Sequence, residues 1–359
     1  MLRAVAVLGV LAIHAGSWPA TATHEQQSVW RAVVTLARFS VPAFVVLTGI
    51  VLEYNRRLGV RTGDFLRRRA ARSIVPWLAW APLYAMFGMV VTGEIPRTPA
   101  GLASWLGYGG GHLYFLLLVP QLYLAFLVWP RGLRGQAVAA VLAGSLQTAL
   151  CTWRLTGHVP DGTAEQLVGW HGAQGAPFWI GYFAVGVVVG HVARRRARGP
   201  SRPSRGAAGL DAVVLGGAAA LVVIGGWLLL RGEPFGATGM VPFGRGTGAF
   251  LRPSLPVLVA GIVVLALWSG GRIAAGSSPV RAAVRGAVDR LSRDAMGIYV
   301  VQAAVLYPVG RLLFRWLESP SLPVTVCAFA VLAAAGLGAS IAVTEALARS
   351  RLRVVVGVG

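Results

Sequence analysis

Two pairs of side chains could do chemistry here. Arg3 and His14 stand eleven residues apart in the apolar stretch LRAVAVLGVLAIH. On a helix that interval is three turns plus roughly 20°, so both side chains share one face, about 16 Å apart along the axis. A neutral imidazole suits a general base near physiological pH; the competing reading of His14 is an interhelical hydrogen bond. Arg69 and Arg72, in FLRRRAARSIVPWL, are i, i+3 neighbours that present two guanidinium forks from one helix face. Such forks suit bidentate capture of phosphate, although topological charge alone also accounts for the arginine run.

Other polar residues interrupt apolar sequence. Arg38 lies within RFSVPAFVVLTGIVL, where it reads either as a binding group or as an interfacial arginine with a snorkelling stem. Pro42 and Gly49 can loosen that helix, and Thr48 adds a hydroxyl. The stretch HLYFLLLVPQLYL carries His112, Tyr114, Gln121 and Tyr123; interfacial anchoring accounts for Tyr114, less readily for His112 and Gln121. In SRDAMGIYVVQ, Tyr299 and Gln302 are again i, i+3 neighbours. Glu345 is a lone acid in an apolar stretch and is expected to pair with an arginine, while His24, His158 and His171 fall in loops and His191 near the inner end of its helix.

These residues need a scaffold, and composition says which. Of 359 residues, 56% are hydrophobic and 13% charged, with a mean hydropathy of +0.66, values unsuited to a water-facing surface of this size. Apolar stretches of about twenty residues, long enough to cross about 30 Å of hydrocarbon, recur along the chain. The reading is an all-α polytopic membrane protein, a single domain over 1–359 with no appended soluble domain. Ten spans are expected, near 2–18, 32–52, 74–92, 112–129, 136–152, 176–193, 210–230, 253–270, 292–314 and 321–347.

All 33 basic residues are arginine, and with 12 acids they give a net charge of +21. They cluster in short segments between apolar stretches without aromatic interleaving, which argues against nucleic acid as a partner. Segment 53–73 holds seven arginines and 194–209, a basic Pro/Gly/Ser linker, holds six. The alternate segments hold few, so the positive-inside rule puts both termini in the cytoplasm and the His14 end of the first helix outside. The first stretch also imitates a signal peptide, with Ala20-Thr21-Ala22 as its cleavage site. An uncleaved helix is expected, with a true start upstream as an alternative. Cys151 and Cys327 lie in apolar stretches without metal-ligand spacing, so neither a disulfide framework nor a metal site is expected.

In order, LRAVAVLGVLAIH, RFSVPAFVVLTGIVL, FLRRRAARSIVPWL, HLYFLLLVPQLYL, PFWIGYFAVGVVVG and SRDAMGIYVVQ resemble the integral-membrane acyltransferase-3 family over nearly the whole chain. The resemblance implies a ten-span enzyme of the bacterial plasma membrane. Such an enzyme moves acetyl or related acyl groups from acyl-CoA onto extracytoplasmic glycans of the cell envelope, or in some members onto small molecules. It implies that His14 is the essential first-span histidine, Arg3 its paired catalytic arginine, and Arg69 and Arg72 the cytoplasmic arginine pair. Three departures stand out: Thr48 where the family usually has serine before glycine, Gln302 where many members have histidine, and a missing lead-in to the first span.

On this reading acetyl-CoA or another acyl-CoA is the donor, with its phosphates on Arg69 and Arg72, and no metal takes part. His14 deprotonates the acceptor hydroxyl or, as a second route, takes the acyl group itself. Arg38, His112, Tyr114 and Gln302 are the substrate-binding candidates, some of them able to stabilise a developing oxyanion. Partners are the hydroxyl acceptor and membrane lipids, in an oligomeric state the sequence leaves open. Two rivals remain, a transporter or flippase of a glycan or lipid-linked intermediate and a purely structural membrane scaffold.

Overall fold

A computed structural model describes residues 1–16, 32–56, 62–92, 97–107, 109–155, 174–198, 207–231, 250, 252, 254–315 and 321–357. In chain order the α-helices are α1 (Leu2–Ala15), α2 (Ser40–Tyr54), α3 (Thr62–Phe87), α4 (Pro99–Gly107), α5 (Tyr114–Leu127) and α6 (Leu133–Leu155). They continue with α7 (Ile180–Arg198), α8 (Ala207–Arg231), α9 (Leu255–Ala275), α10 (Pro279–Arg315) and α11 (Leu322–Ala348). Among the described residues there is no strand. Hydrocarbon offers no partner for backbone N–H and C=O groups, and a helix satisfies them within one segment.

Helical structure runs through each of the ten apolar stretches. By length and hydropathy, seven described helical segments can cross a membrane, whereas Leu2–Ala15 is apolar but shorter. In α7 the last turns hold Arg194, Arg195, Arg196 and Arg198, a charge density that hydrocarbon does not accept. α10 starts well before its expected span because the apolar pattern cannot register a polar continuation bearing Arg281, Arg285 and Arg290. Ala20-Thr21-Ala22, the loop histidines His24, His158 and His171, and linker residues 199–206 lie outside the described residues.

Small residues let the helices approach closely, as expected where lipid removes the hydrophobic drive between them. A Cβ on Gly186 would stand 2.1 Å from the Val46 carbonyl oxygen, and one on Gly49 would stand 2.4 Å from that of Phe183, so α2 and α7 touch backbone to backbone. Gly225 meets Leu258 and Gly261 meets Ala218 where α8 crosses α9. α1 runs parallel to α10: Arg3 donates to the Ser292 carbonyl at 3.2 Å, Val7 packs with Ala295 and Ile298, and Leu11 and Ala15 pack with Leu306. This register sets Gln302 at the level of the C-terminal half of α1. Large apolar side chains such as Val141, Leu142, Val223 and Val331 are exposed, the composition of a surface that faces lipid.

One polar cluster locks α2 to α7. Glu53 is fully enclosed; its carboxylate meets Arg56 at 2.8 Å, Arg194 at 2.7 Å and His191 Nδ1 at 3.2 Å. The Arg56 guanidinium also lies 4.2 Å over the Phe126 ring, which ties the cluster to α5. At the far end of the chain Glu345 pairs with Arg290 at 2.7 Å, joining α10 to α11. Cys151 and Cys327 are free thiols.

Candidate functional site

A cavity of about 230 Å³ opens among α1, α2, α3, α5 and α10. Four arginines line it: Arg3, Arg69, Arg72 and Arg293. No lining residue is acidic among those described, so the guanidinium charges add, and a concave site with low-dielectric walls concentrates their field on an anion. Arg69 lies 5.9 Å from the Phe65 ring centre and 5.8 Å from that of Tyr123. Two aromatic rings therefore flank its guanidinium at the wall. Val10, Val41, Phe44 and Phe115 give the rest of the cavity an apolar lining, with Thr48 on its wall; the Thr48 hydroxyl is turned back onto the Phe44 carbonyl at 2.8 Å.

Arg3 thus joins the arginine pair rather than His14. The two share a helix, as their spacing requires, yet they serve different ends of it. His14 is half-buried and meets His112, with ring centroids 5.2 Å apart at 79°. His112 packs edge-on against Tyr84 at 4.6 Å and Tyr299 at 6.0 Å. Both its ring nitrogens are buried without a hydrogen-bond partner among the described residues. A buried imidazole left in that state costs free energy unless a ligand satisfies it.

The backbone explains how His112 arrives there. Gly109, Gly110 and Gly111 have φ of +79°, +76° and +64°, a left-handed run that disfavours residues with a Cβ. The Trp77 indole donates to the Gly109 carbonyl at 2.8 Å and fixes the run against α3. A short 3-10 turn, Gly111–Leu113, then leads into α5 and sets His112 at its head. The sequence reading missed this device, although the letters GGGH immediately before an apolar helix are a visible signal for it.

Tyr84 was not singled out from the sequence, and Tyr299 only as the i, i+3 neighbour of Gln302, yet both organise the centre. The Tyr84 hydroxyl donates to the Val300 carbonyl at 2.7 Å and accepts from the Ala304 N–H at 2.9 Å. It therefore stands between the two groups that an α-helix would bond to each other, a side-chain insertion of the kind that lets helices bend. Tyr299 lines the arginine cavity and donates from its hydroxyl to the backbone carbonyl of His112. Gln302, one turn further on, is fully enclosed, and neither atom of its amide has a partner among the described residues.

The remaining candidates fall elsewhere. Arg38 is buried in the two-residue break before α2, with its guanidinium 5.3 Å from the Phe250 ring centre. Tyr114 and Phe250 both pack on Trp179, at 6.3 Å and 5.8 Å, so Arg38 and Tyr114 belong to one aromatic cluster. Gln121 has a structural explanation: it donates to the Leu117 carbonyl at 3.1 Å and accepts from the Ala176 N–H at 3.0 Å. Arg293, which the sequence analysis did not single out, reaches the cavity from α10 near the start of its expected span.

Comparison with known proteins supplies a class of chemistry for this arrangement. A family model described as an acyltransferase domain, acyltransferase-3, matches residues 1–345. No curated protein and no solved structure matches the chain.

Proposed function

The chain belongs to the acyltransferase-3 family, and on that premise we propose that it moves an acetyl or other short acyl group from acyl-CoA to a hydroxyl of an extracytoplasmic glycan or related acceptor. The observation that carries this reading is the division of the bundle interior. A cavity lined by four guanidinium groups, with no acidic residue among the described ones, lies at one end, and the His14–His112 pair lies beyond Tyr299.

The arginine cavity fits the phosphates of a CoA donor, since guanidinium forks pair bidentately with phosphate oxygens. Arg3 and Arg293 join Arg69 and Arg72 in this role. The cavity's apolar part suits the pantetheine arm and the acyl group. His14 accepts the proton of the acceptor hydroxyl as that oxygen attacks the thioester carbonyl. The carbon–sulfur bond then breaks, and the imidazolium returns its proton to the departing sulfur. His112 and Gln302 bring unpartnered polar atoms that can orient the acceptor or receive negative charge from the carbonyl oxygen. With the arginine-rich loops inside, the donor enters from the cytoplasm of a bacterial cell and the acceptor from outside.

Full-length protein reconstituted in vesicles with radiolabelled acetyl-CoA and a hydroxyl-rich glycan tests this reading. Label should pass to the acceptor, His14→Ala should abolish transfer, and Arg69→Ala or Arg72→Ala should raise KM for the donor. Movement of the acceptor across the bilayer without covalent change would instead support a transporter, and retention of full transfer by His14→Ala would overturn the catalytic assignment.

A further inference from the structure

The arginine cavity and the histidine pair are neighbours but not one space: neither His14 nor His112 lines the cavity. Tyr299 stands between them. Its ring forms part of the cavity wall, packs edge-on against Phe115 at 6.0 Å, and on its other side meets the His112 ring. Its hydroxyl fastens to the His112 carbonyl at the head of α5. A group bound among the arginines thus has an aromatic partition between itself and His14.

The helix that carries Tyr299 is weakened where movement would be needed. The Tyr84 hydroxyl bonds to both the Val300 carbonyl and the Ala304 N–H. One turn later Pro308 lies inside α10 and removes the N–H that the Ala304 carbonyl would otherwise receive. Pro308 thus leaves one backbone bond out of the α10 ladder, and a turn earlier the Tyr84 hydroxyl shares both groups of another, which lowers the cost of bending there.

We propose that Tyr299 is a gate between the donor cavity and His14, latched by its hydrogen bond to the His112 carbonyl and opened by bending of α10 between residues 300 and 308. The proposal rests on the acyltransfer reading for its purpose, since a closed gate keeps a bound thioester from water until the acceptor is in place. It makes Tyr299 a positioning residue, and it names Phe115 as the fixed side of the passage.

The test reads access rather than catalysis, so it stands even if the donor is not acyl-CoA. Full-length protein with Cys151→Ser and Cys327→Ser carries His14→Cys as reporter in vesicles whose arginine-rich face is outward. A membrane-impermeant maleimide is added to that face. With Tyr299 present the reporter should react slowly. Tyr299→Phe, which keeps the ring, should speed labelling about tenfold, the population shift expected from losing one buried hydrogen bond, and Tyr299→Ala should speed it further. Val10→Cys, on the cavity wall, should react equally in all three backgrounds, which verifies folding of each variant. Equal labelling of the His14→Cys reporter with Tyr299, Tyr299→Phe and Tyr299→Ala, whether fast or slow, would overturn the gate. In otherwise unaltered protein, Tyr299→Phe should also raise acceptor-independent release of CoA relative to transfer.

Discussion

The imidazoles of His14 and His112 meet edge to face, with centroids 5.2 Å apart, although one sits near the C-terminus of the first helix and the other at the head of α5. The contact turns an isolated polar residue in an apolar helix into half of a pair. Both His112 nitrogens are buried without a hydrogen-bond partner among the described residues, so the pair is arranged for something other than mutual stabilisation.

If the pair acts on the acceptor hydroxyl, the two histidines should differ in weight. His14→Ala is expected to lower transfer on the order of 10³-fold, the range for loss of a general base. His112→Phe keeps the ring packing and removes only the nitrogens; it should lower transfer about tenfold, as for one lost hydrogen bond, with the melting temperature in detergent unchanged. Steady-state transfer rates and thermal unfolding check both.

Arg3 and Arg293 should behave as donor-binding groups. Arg293→Ala is expected to raise KM for acyl-CoA about tenfold with kcat little changed, because a charge-assisted hydrogen bond to phosphate is worth about 1.5–3 kcal/mol. The donor KM should also rise with ionic strength, as screening of four lining cations requires. Donor titrations at two salt concentrations decide this.

Glu53 predicts a stability effect. Its carboxylate is enclosed and faces two arginines and His191. Glu53→Gln should destabilise the fold by about 3 kcal/mol, since removing one partner of a buried ion network strands the others. The readout is the thermal midpoint of purified protein; an unchanged midpoint would mean that the arginines find other partners.

The backbone contact between α2 and α7 predicts a sharper result. Gly186→Ala puts a Cβ 2.1 Å from the Val46 carbonyl oxygen, so the helices must separate, at a cost of about 1–3 kcal/mol as for other overpacked sites. Gly63→Ala, with no atom within 4 Å of the new Cβ, should be silent. Size-exclusion profiles and melting curves of the two variants give the comparison.

Much of this was legible in the sequence because membranes impose simple rules. Hydrocarbon excludes unpaired backbone groups, so apolar runs of sufficient length become helices, and α8, α9 and α11 follow their apolar stretches closely. Helical spacing put Arg3 and His14 on one face and Arg69 with Arg72 on another. The same arithmetic separated Arg3 from His14 by three turns, and the structure uses that distance: Arg3 lines the cavity and His14 meets His112.

Pattern could not reveal contacts between helices far apart in the chain. Tyr84 looks like an ordinary aromatic, and Tyr299 like a mere neighbour of Gln302, until Tyr84 is found bonded to the backbone of α10 and Tyr299 fastened to His112. Arg293 resembles any arginine at the edge of an apolar stretch until α10 turns it to the cavity, and Glu53 resembles a boundary residue until α7 supplies His191 and Arg194. The sequence alone determined the class of the protein, its apolar helices and the two pairs that suggest chemistry, because each depends on neighbours within a few turns. Only the tertiary structure decided that Arg3 lines one cavity with Arg69 and Arg72, that His14 meets His112, and that Tyr299 lies between the cavity and His112. Those relations are set by which helix faces pack together, and packing depends on side-chain shape across the whole bundle rather than on spacing along one helix.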